Sequence, residues 1–235
     1  MDPIRTRISV TAIVCAFNEE QTLPGVVRTL INTDEVNDVI VINDGSTDST
    51  SATLKEFANN PKVRIIEFPH NLGKGFAMAE GIEKAQGEIL LFVDADLLNF
   101  EKHYVPQLLN PLLEGKADMV IGHPTENIFD EQFNPFKPFA GERAVYRKNI
   151  FPSVGAMRNS RYGVEAVINL HCVAQNMRVQ YVSLWGLVHP IKFQKYPVRG
   201  AIKEYCKAAS QIAMTLMRNY TLLFLIIRNT LGKFI

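Results

Sequence analysis

The 235-residue chain is 47% hydrophobic and 21% charged, enough apolar material for one domain with a substantial core. Its 25 basic and 24 acidic residues leave a net charge of +1, which excludes a global field for wrapping nucleic acid. Three scattered cysteines, Cys15, Cys172 and Cys206, form neither a disulfide framework nor a CxxC zinc site. They fit a reducing, cytoplasmic compartment.

The N-terminal residues Met1 to Arg7 contain no apolar core of a signal peptide. Ile8 to Phe17 reads as a first strand. Polar Asn18-Glu19-Glu20 follows, then Thr22 as an N-cap with Pro24 in the first turn of a helix. Leu23, Val26, Val27, Leu30 and Ile31 recur at helical spacing and make one apolar face. Val39 to Ile42 is a second buried strand, ending in Asn43-Asp44-Gly45-Ser46-Thr47-Asp48. A helix carrying Leu54 and Phe57 comes next, then a strand from Val63 to Phe68. His70-Asn71-Leu72-Gly73-Lys74-Gly75 opens a helix that runs to about Ala85.

Ile89 to Val93 is an unbroken apolar run, too short for a helix, of the kind buried on both faces of a parallel sheet. It runs into Asp94-Ala95-Asp96. Side chains alternate along extended backbone, so the two carboxylates point the same way at the strand's carboxyl end. Open α/β sheets bind ligands at that edge. Two hard oxygen donors there suit Mg²⁺ or Mn²⁺ shared with a substrate's phosphates. Strand capping is the plainer reading of an isolated pair of this kind.

A Pro111-containing helix and a strand from Met119 to Gly122 complete four strand–helix alternations. These predict a mostly parallel sheet with helices on both faces. After Gly122 the rhythm breaks. Residues 123–140 are irregular, Gly141 to Asn149 and Val164 to Gln175 read as helices, and Val179 to Val188 as an extended segment. From about Val198 the chain reads as a C-terminal helical extension. The expected organisation is one domain: a nucleotide-binding half over 8–122, an acceptor half over 123–197 and the extension over 198–235.

Neither the Rossmann G-x-G-x-x-G after the first strand nor the G-x-x-x-x-G-K-[ST] phosphate loop is present. Four other motifs occur in order at strand ends. They are Ala16-Phe17-Asn18-Glu19-Glu20, Val41 to Asp48, Asn71-Leu72-Gly73-Lys74-Gly75 and Asp94-Ala95-Asp96. Together they resemble the family 2 nucleotide-sugar glycosyltransferases, including members that glycosylate polyprenyl phosphates or phosphoglycerate. The resemblance implies a single-domain GT-A type fold and transfer of one sugar from a nucleotide-diphosphate donor, UDP-linked or GDP-mannose.

It also implies roles. Ala16, Phe17, Asn18, Glu20 and Asp44 would line the nucleotide, with Asp44 accepting a hydrogen bond from the base; turn and capping chemistry is the alternative. Lys74 suits a phosphate. Ala95 would line the nucleotide sugar, Asp94 would face the ribose or metal, and Asp96 would bind the metal, with His189 as a further ligand or a structural histidine. Gly141, Glu142 and Arg143 resemble the family's acceptor motif. Glu165 stands, with only one carboxylate, where inverting members carry an acidic pair. It could deprotonate an acceptor hydroxyl, cap a helix or bind acceptor hydroxyls, so inverting and retaining outcomes both stay open.

Arg143, Arg147, Arg158 and Arg161, with Tyr162 beside them, cluster in sequence around the acceptor segment. They suggest a phosphorylated acceptor, a polyprenyl phosphate or a small sugar-acid phosphate. Lys192 and Lys195 could close over a diphosphate or stay solvated. In the extension, Lys203, Lys207 and Arg218 share one helical face opposite Ala209, Ile212, Ala213, Leu216 and Tyr220. That pattern reads as an interfacial membrane helix or as a homodimer contact. Competing classes are a nucleotidyltransferase and a catalytically silent nucleotide-sugar-binding protein.

Overall fold

The structure is a computed structural model, and it describes residues 8–125, 137–160 and 163–188. The strands are β1 (Val10–Ala16), β2 (Asp38–Asn43), β3 (Val63–Glu67), β4 (Ile89–Phe92), β5 (Met119–Thr125), β6 (Arg143–Tyr146) and β7 (Val179–Trp185). Between them run α1 (Leu23–Ile31), α2 (Thr50–Leu54), α3 (Lys74–Lys84), α4 (Tyr104–Leu113), α5 (Arg147–Ile150), α6 (Val154–Arg158) and α7 (Val164–Ala174).

All seven strands join one sheet in the order β3-β2-β1-β4-β6-β5-β7. Strand alternation divides its core. Ala12, Val14 and Ala16 of β1 face Leu23, Val26, Val27 and Leu30 of α1 and the apolar face of α4. Ile13 turns the other way, toward Ala77, Met78 and Ile82 of α3 and Val164, Val167 and Ile168 of α7. Each such side chain contributes roughly 1.5–3 kcal/mol by leaving water. The helix expected from Leu23 forms with the predicted face inward. Its Thr22 hydroxyl does not cap it, donating instead toward Glu19 Oε2 at 3.3 Å.

The expected helix from Gly141 to Asn149 is corrected. Arg143–Tyr146 is a strand, antiparallel to both β4 and β5, and only Arg147–Ile150 is helical. Four residues cannot express a period, and what selects the strand is the open slot between β4 and β5. Val145 and Ala144 are fully buried there. β5 also extends beyond Gly122 and pairs in parallel with β7 as far as Thr125 and Trp185. The sheet is therefore continuous across residue 122.

Position follows from this order. β2 and β3 build outward on one side of β1, while β4 lies on the other. The loops after β1 and β4 diverge at a topological switch point, where open α/β sheets form their crevice. Among the described residues no helix is long and apolar enough to cross a membrane. Arg161, Tyr162, His189, Lys192, Lys195 and the extension over 198–235 lie outside the described residues.

Candidate active site

The loops after β1 and β2 are sewn together. Asn18 takes a left-handed conformation (φ 58°), which asparagine tolerates. Its N–H donates to Ser46 Oγ at 2.9 Å, and its Oδ1 accepts the Thr47 N–H at 2.8 Å. The Glu19 N–H reaches Thr50 Oγ1 at 3.0 Å and the Glu20 N–H reaches Asp48 Oδ2 at 3.3 Å. Glu20 was expected to line the nucleotide. Here its carboxylate accepts the Ser49 N–H at 2.7 Å, beside the start of α2. Ala16 is buried, and the neighbouring Phe17 ring is 40% exposed.

Asp44 is buried and both of its oxygens are engaged. The Leu72 N–H donates to Oδ1 at 2.7 Å and the Gly73 N–H to Oδ2 at 2.9 Å. Burial pushes its pKa up, and the two amides hold it partly down. Gly73 has φ 97°, a conformation that glycine adopts without strain, and it leads directly into Lys74. Gly45 is needed for the same turn from the other side, because a Cβ there would overlap the His70 backbone. Asp44 thus anchors the turn that presents Lys74.

Lys74 Nζ stands between two carboxylates, 2.7 Å from Asp94 Oδ1 and 2.8 Å from Glu165 Oε1. The three come from the start of α3, the loop after β4 and the first turn of α7. Burial pulls the Lys74 pKa down, but Asp94 and Glu165 outweigh it and hold the ammonium well above the usual lysine value. The Lys74 side chain as a whole is 27% exposed. It has three N–H donors, of which these carboxylates take two.

Gly141 closes this cluster from behind: a Cβ at that position would overlap the Asp94 carboxylate. Ala95 is buried and Asp96 is half-buried. Two residues past Asp96, the Leu98 N–H donates to Val188 O at 3.0 Å, an isolated bridge that ties the end of the described chain to this loop. Among the described residues no three His, Cys, Asp or Glu side chains converge as a metal-binding group. Asp94 and Asp96 are hard donors at one strand end and match the chemistry of Mg²⁺ or Mn²⁺.

Of the basic cluster expected for the acceptor, Arg143, Arg147 and Arg158 are among the described residues, and each has protein partners. Arg158 donates to Glu80 at 3.2 Å and Glu83 at 2.5 Å on α3, and its guanidinium lies 4.7 Å from the Phe76 ring centre. Its charge is met there by two carboxylates of α3. Arg147 donates to Ile82 O and covers the Phe151 ring. Glu142 and Arg143 are fully buried, the first just before β6 and the second at its start rather than on a helix. Arg143 Nη2 donates to Ala140 O, and Nη1 lies 3.5 Å from Asn169 Oδ1 of α7. Pairing of Lys74 with Glu165 had no sequence signal, since nothing local links α3 to α7.

The sequence pattern described as Glycosyl transferase family 2 matches residues 11–172. A dodecaprenyl-phosphate galacturonate synthase of Rhizobium johnstonii is 28% identical over 127 residues, 52% of this chain and 37% of the relative. A dolichyl-phosphate beta-glucosyltransferase of Trichomonas vaginalis is 34% identical over 102 residues, 39% of this chain and 31% of the relative. A glucosyl-3-phosphoglycerate synthase of Mycobacterium tuberculosis is 30% identical over 120 residues, 48% of this chain and 36% of the relative. The matches thus span about a third of the length of these curated relatives. The crystal structure of that synthase with Mn²⁺, UDP-glucose and phosphoglyceric acid superposes with a TM-score of 0.69 and 22% identity. That superposition covers 89% of this chain and 79% of the other, and it establishes the fold.

Proposed function

The chain belongs to glycosyl transferase family 2, and we propose that it transfers a single sugar from a nucleotide-diphosphate sugar to a phosphorylated acceptor. UDP-sugars are the favoured donors and GDP-mannose the second choice. The observation that carries this reading is Lys74 held between Asp94 and Glu165 at the sheet's switch point. A cation locked between two carboxylates, with one donor still available, suits a site where a diphosphate arrives on one side and an acceptor on the other.

In this reading Phe17 lends an exposed ring to the base, and the third Lys74 N–H meets the donor diphosphate. Asp94 and Asp96 would hold a Mg²⁺ or Mn²⁺ ion, with His189 the next residue after Val188 as a further ligand. When bound, that ion acts as a Lewis acid on the departing diphosphate. Glu165, with its side chain 12% exposed, orients the acceptor and takes the proton where the acceptor is a hydroxyl. An acceptor that is itself a phosphate needs no such base. Ala140 and Gly141 keep the Asp94 side of the site closed.

The phosphorylated acceptor is supported by the relatives, whose names include polyprenyl-phosphate and phosphoglycerate enzymes. Arg158 would have to exchange its Glu80 and Glu83 partners to meet that phosphate. Family membership disfavours a nucleotidyltransferase, and intact Asp44, Asp94 and Asp96 disfavour a silent binder. Peripheral membrane contact or a homodimer through residues 198–235 belongs to the same proposal. Liposome flotation with anionic lipid separates these two.

The deciding experiment follows UDP release from UDP-glucose with Mn²⁺, in the presence of 3-phosphoglycerate or undecaprenyl phosphate. Thermal shift gives the parallel binding readout. UDP-glucose at ~100 times its Kd should add roughly 2.7 kcal/mol of apparent stability. Asp96→Asn should retain the fold, lose most turnover and lose the Mn²⁺ dependence of donor binding. Turnover that survives both Asp96→Asn and EDTA would overturn the assignment.

A further inference from the structure

Arg143 is the largest fully buried side chain of the described residues, and it lies on an interior strand of the sheet. Its place on β6 sends the side chain to the same face as α3 and α7, which is the face carrying Lys74 and Glu165. Two nitrogens of its fork serve Ala140 O and Asn169 Oδ1, and its Nε has no hydrogen-bond partner among the described residues. Asn169 is itself fixed, donating to Pro138 O at 2.6 Å. An acceptor phosphate would have to enter the core to meet this guanidinium.

Two facts give that burial a purpose. Ala140, whose carbonyl Arg143 holds, precedes Gly141, whose Cα backs directly onto the Asp94 carboxylate. Asn169, the other partner of Arg143, stands one turn after Glu165 on α7, and although burial lowers the Arg143 pKa, Glu165, Asp94 and Glu142 all favour its charge. Lys74 alone leaves two carboxylates facing one ammonium. A second cation in the low-dielectric interior steadies that arrangement at a distance where water would not.

Resting on the function proposed above, we propose that Arg143 is a positioning residue. It pins the Ala140–Gly141 backbone against Asp94 and supplies the second positive charge behind the Lys74–Asp94–Glu165 cluster. It acts through these groups and touches neither donor nor acceptor. Lysine preserves the charge but cannot reproduce the planar two-point hold, and methionine removes both.

The test compares wild type, Arg143→Lys and Arg143→Met in the UDP-glucose assay with Mn²⁺. Residues that orient a site from behind typically cost 10–100-fold when replaced. Arg143→Met should therefore lower kcat by about 10–100-fold with both KM values within about twofold. Arg143→Lys should recover part of the loss. A rise of about tenfold or more in acceptor KM with kcat preserved would make Arg143 an acceptor contact and overturn the proposal. Wild type inert with both acceptors would instead defeat the proposed function.

A second readout stands apart from turnover. In protein labelled with ¹⁵N-lysine, the Lys74 ammonium should give a slowly exchanging resonance. That resonance should be lost in Arg143→Met and retained in Arg143→Lys. An unchanged signal in Arg143→Met overturns the proposal. Should Arg143→Met fail to fold by circular dichroism, Asn169→Ala loosens the same hold more gently. It must then lower kcat at constant KM, and no effect on kcat would also overturn the proposal.

Discussion

Replacing Asp44 by asparagine separates an anchor of the Lys74 turn from a contact to the nucleotide base. Asp44 accepts one backbone N–H on each oxygen, from Leu72 and from Gly73. Asparagine keeps one oxygen and turns its own N–H₂ toward the second donor, stranding a buried N–H at about 1–3 kcal/mol. Part of this is offset, because burial makes the charged form of Asp44 unfavourable and asparagine carries no charge. A net loss of about 1–2 kcal/mol follows, or roughly 2–8 °C in Tm for a chain of this size.

The pH dependence has a definite sign. The folded-state pKa of Asp44 lies above its ordinary value of 3.8. Its contribution to stability is therefore complete below that ordinary value and fades as pH rises through the folded one. The deficit of Asp44→Asn should be larger at about pH 4 than at about pH 7. Urea unfolding at both pH values measures it, with titration of UDP and Mn²⁺ alongside. Wild-type unfolding midpoints combined with weakened UDP binding would refute the anchoring argument and return Asp44 to the base.

Gly141→Ala should push the Asp94 carboxylate away from Lys74. The pair is partly exposed, so stability should fall by less than about 1 kcal/mol. Calorimetric titration should show affinity for UDP with Mn²⁺ falling about tenfold, and undiminished affinity would count against the geometry. At Asp48, burial pushes the pKa up, but the Thr50 hydroxyl, Thr50 amide and Glu20 amide together hold it below 3.8. Its stabilising contribution is present above that value and is lost as pH falls through the folded one. Asp48→Ala should thus flatten the acid limb of thermal stability, and an unchanged limb would dismiss the idea. Burial raises the Cys15 thiol far above its usual value and pushes Cys172 up to about 11. Peptide mapping after iodoacetamide at about pH 8 should find both unlabelled in native protein and labelled in urea. Native labelling of Cys172 would contradict its buried placement.

By itself the sequence determined the strand–helix alternation, the inward face of α1 and the arrival of acidic and glycine-rich loops at strand ends. Those features are local. Period two, period 3.6 and turn chemistry are written into neighbouring residues, and a parallel sheet then places every such loop at one edge. Tertiary structure alone decided that Arg143–Tyr146 is a strand, since the slot between β4 and β5 outweighs a four-residue preference. It also decided the partners of charged side chains. Lys74 took Glu165 from α7, Asp44 took the amides of the Lys74 turn, and Arg158 took Glu80 and Glu83. Residue type states what a side chain can bind. Which partner it reaches depends on packing between elements far apart along the chain, because burying an unmatched charge or donor costs more than any local preference supplies.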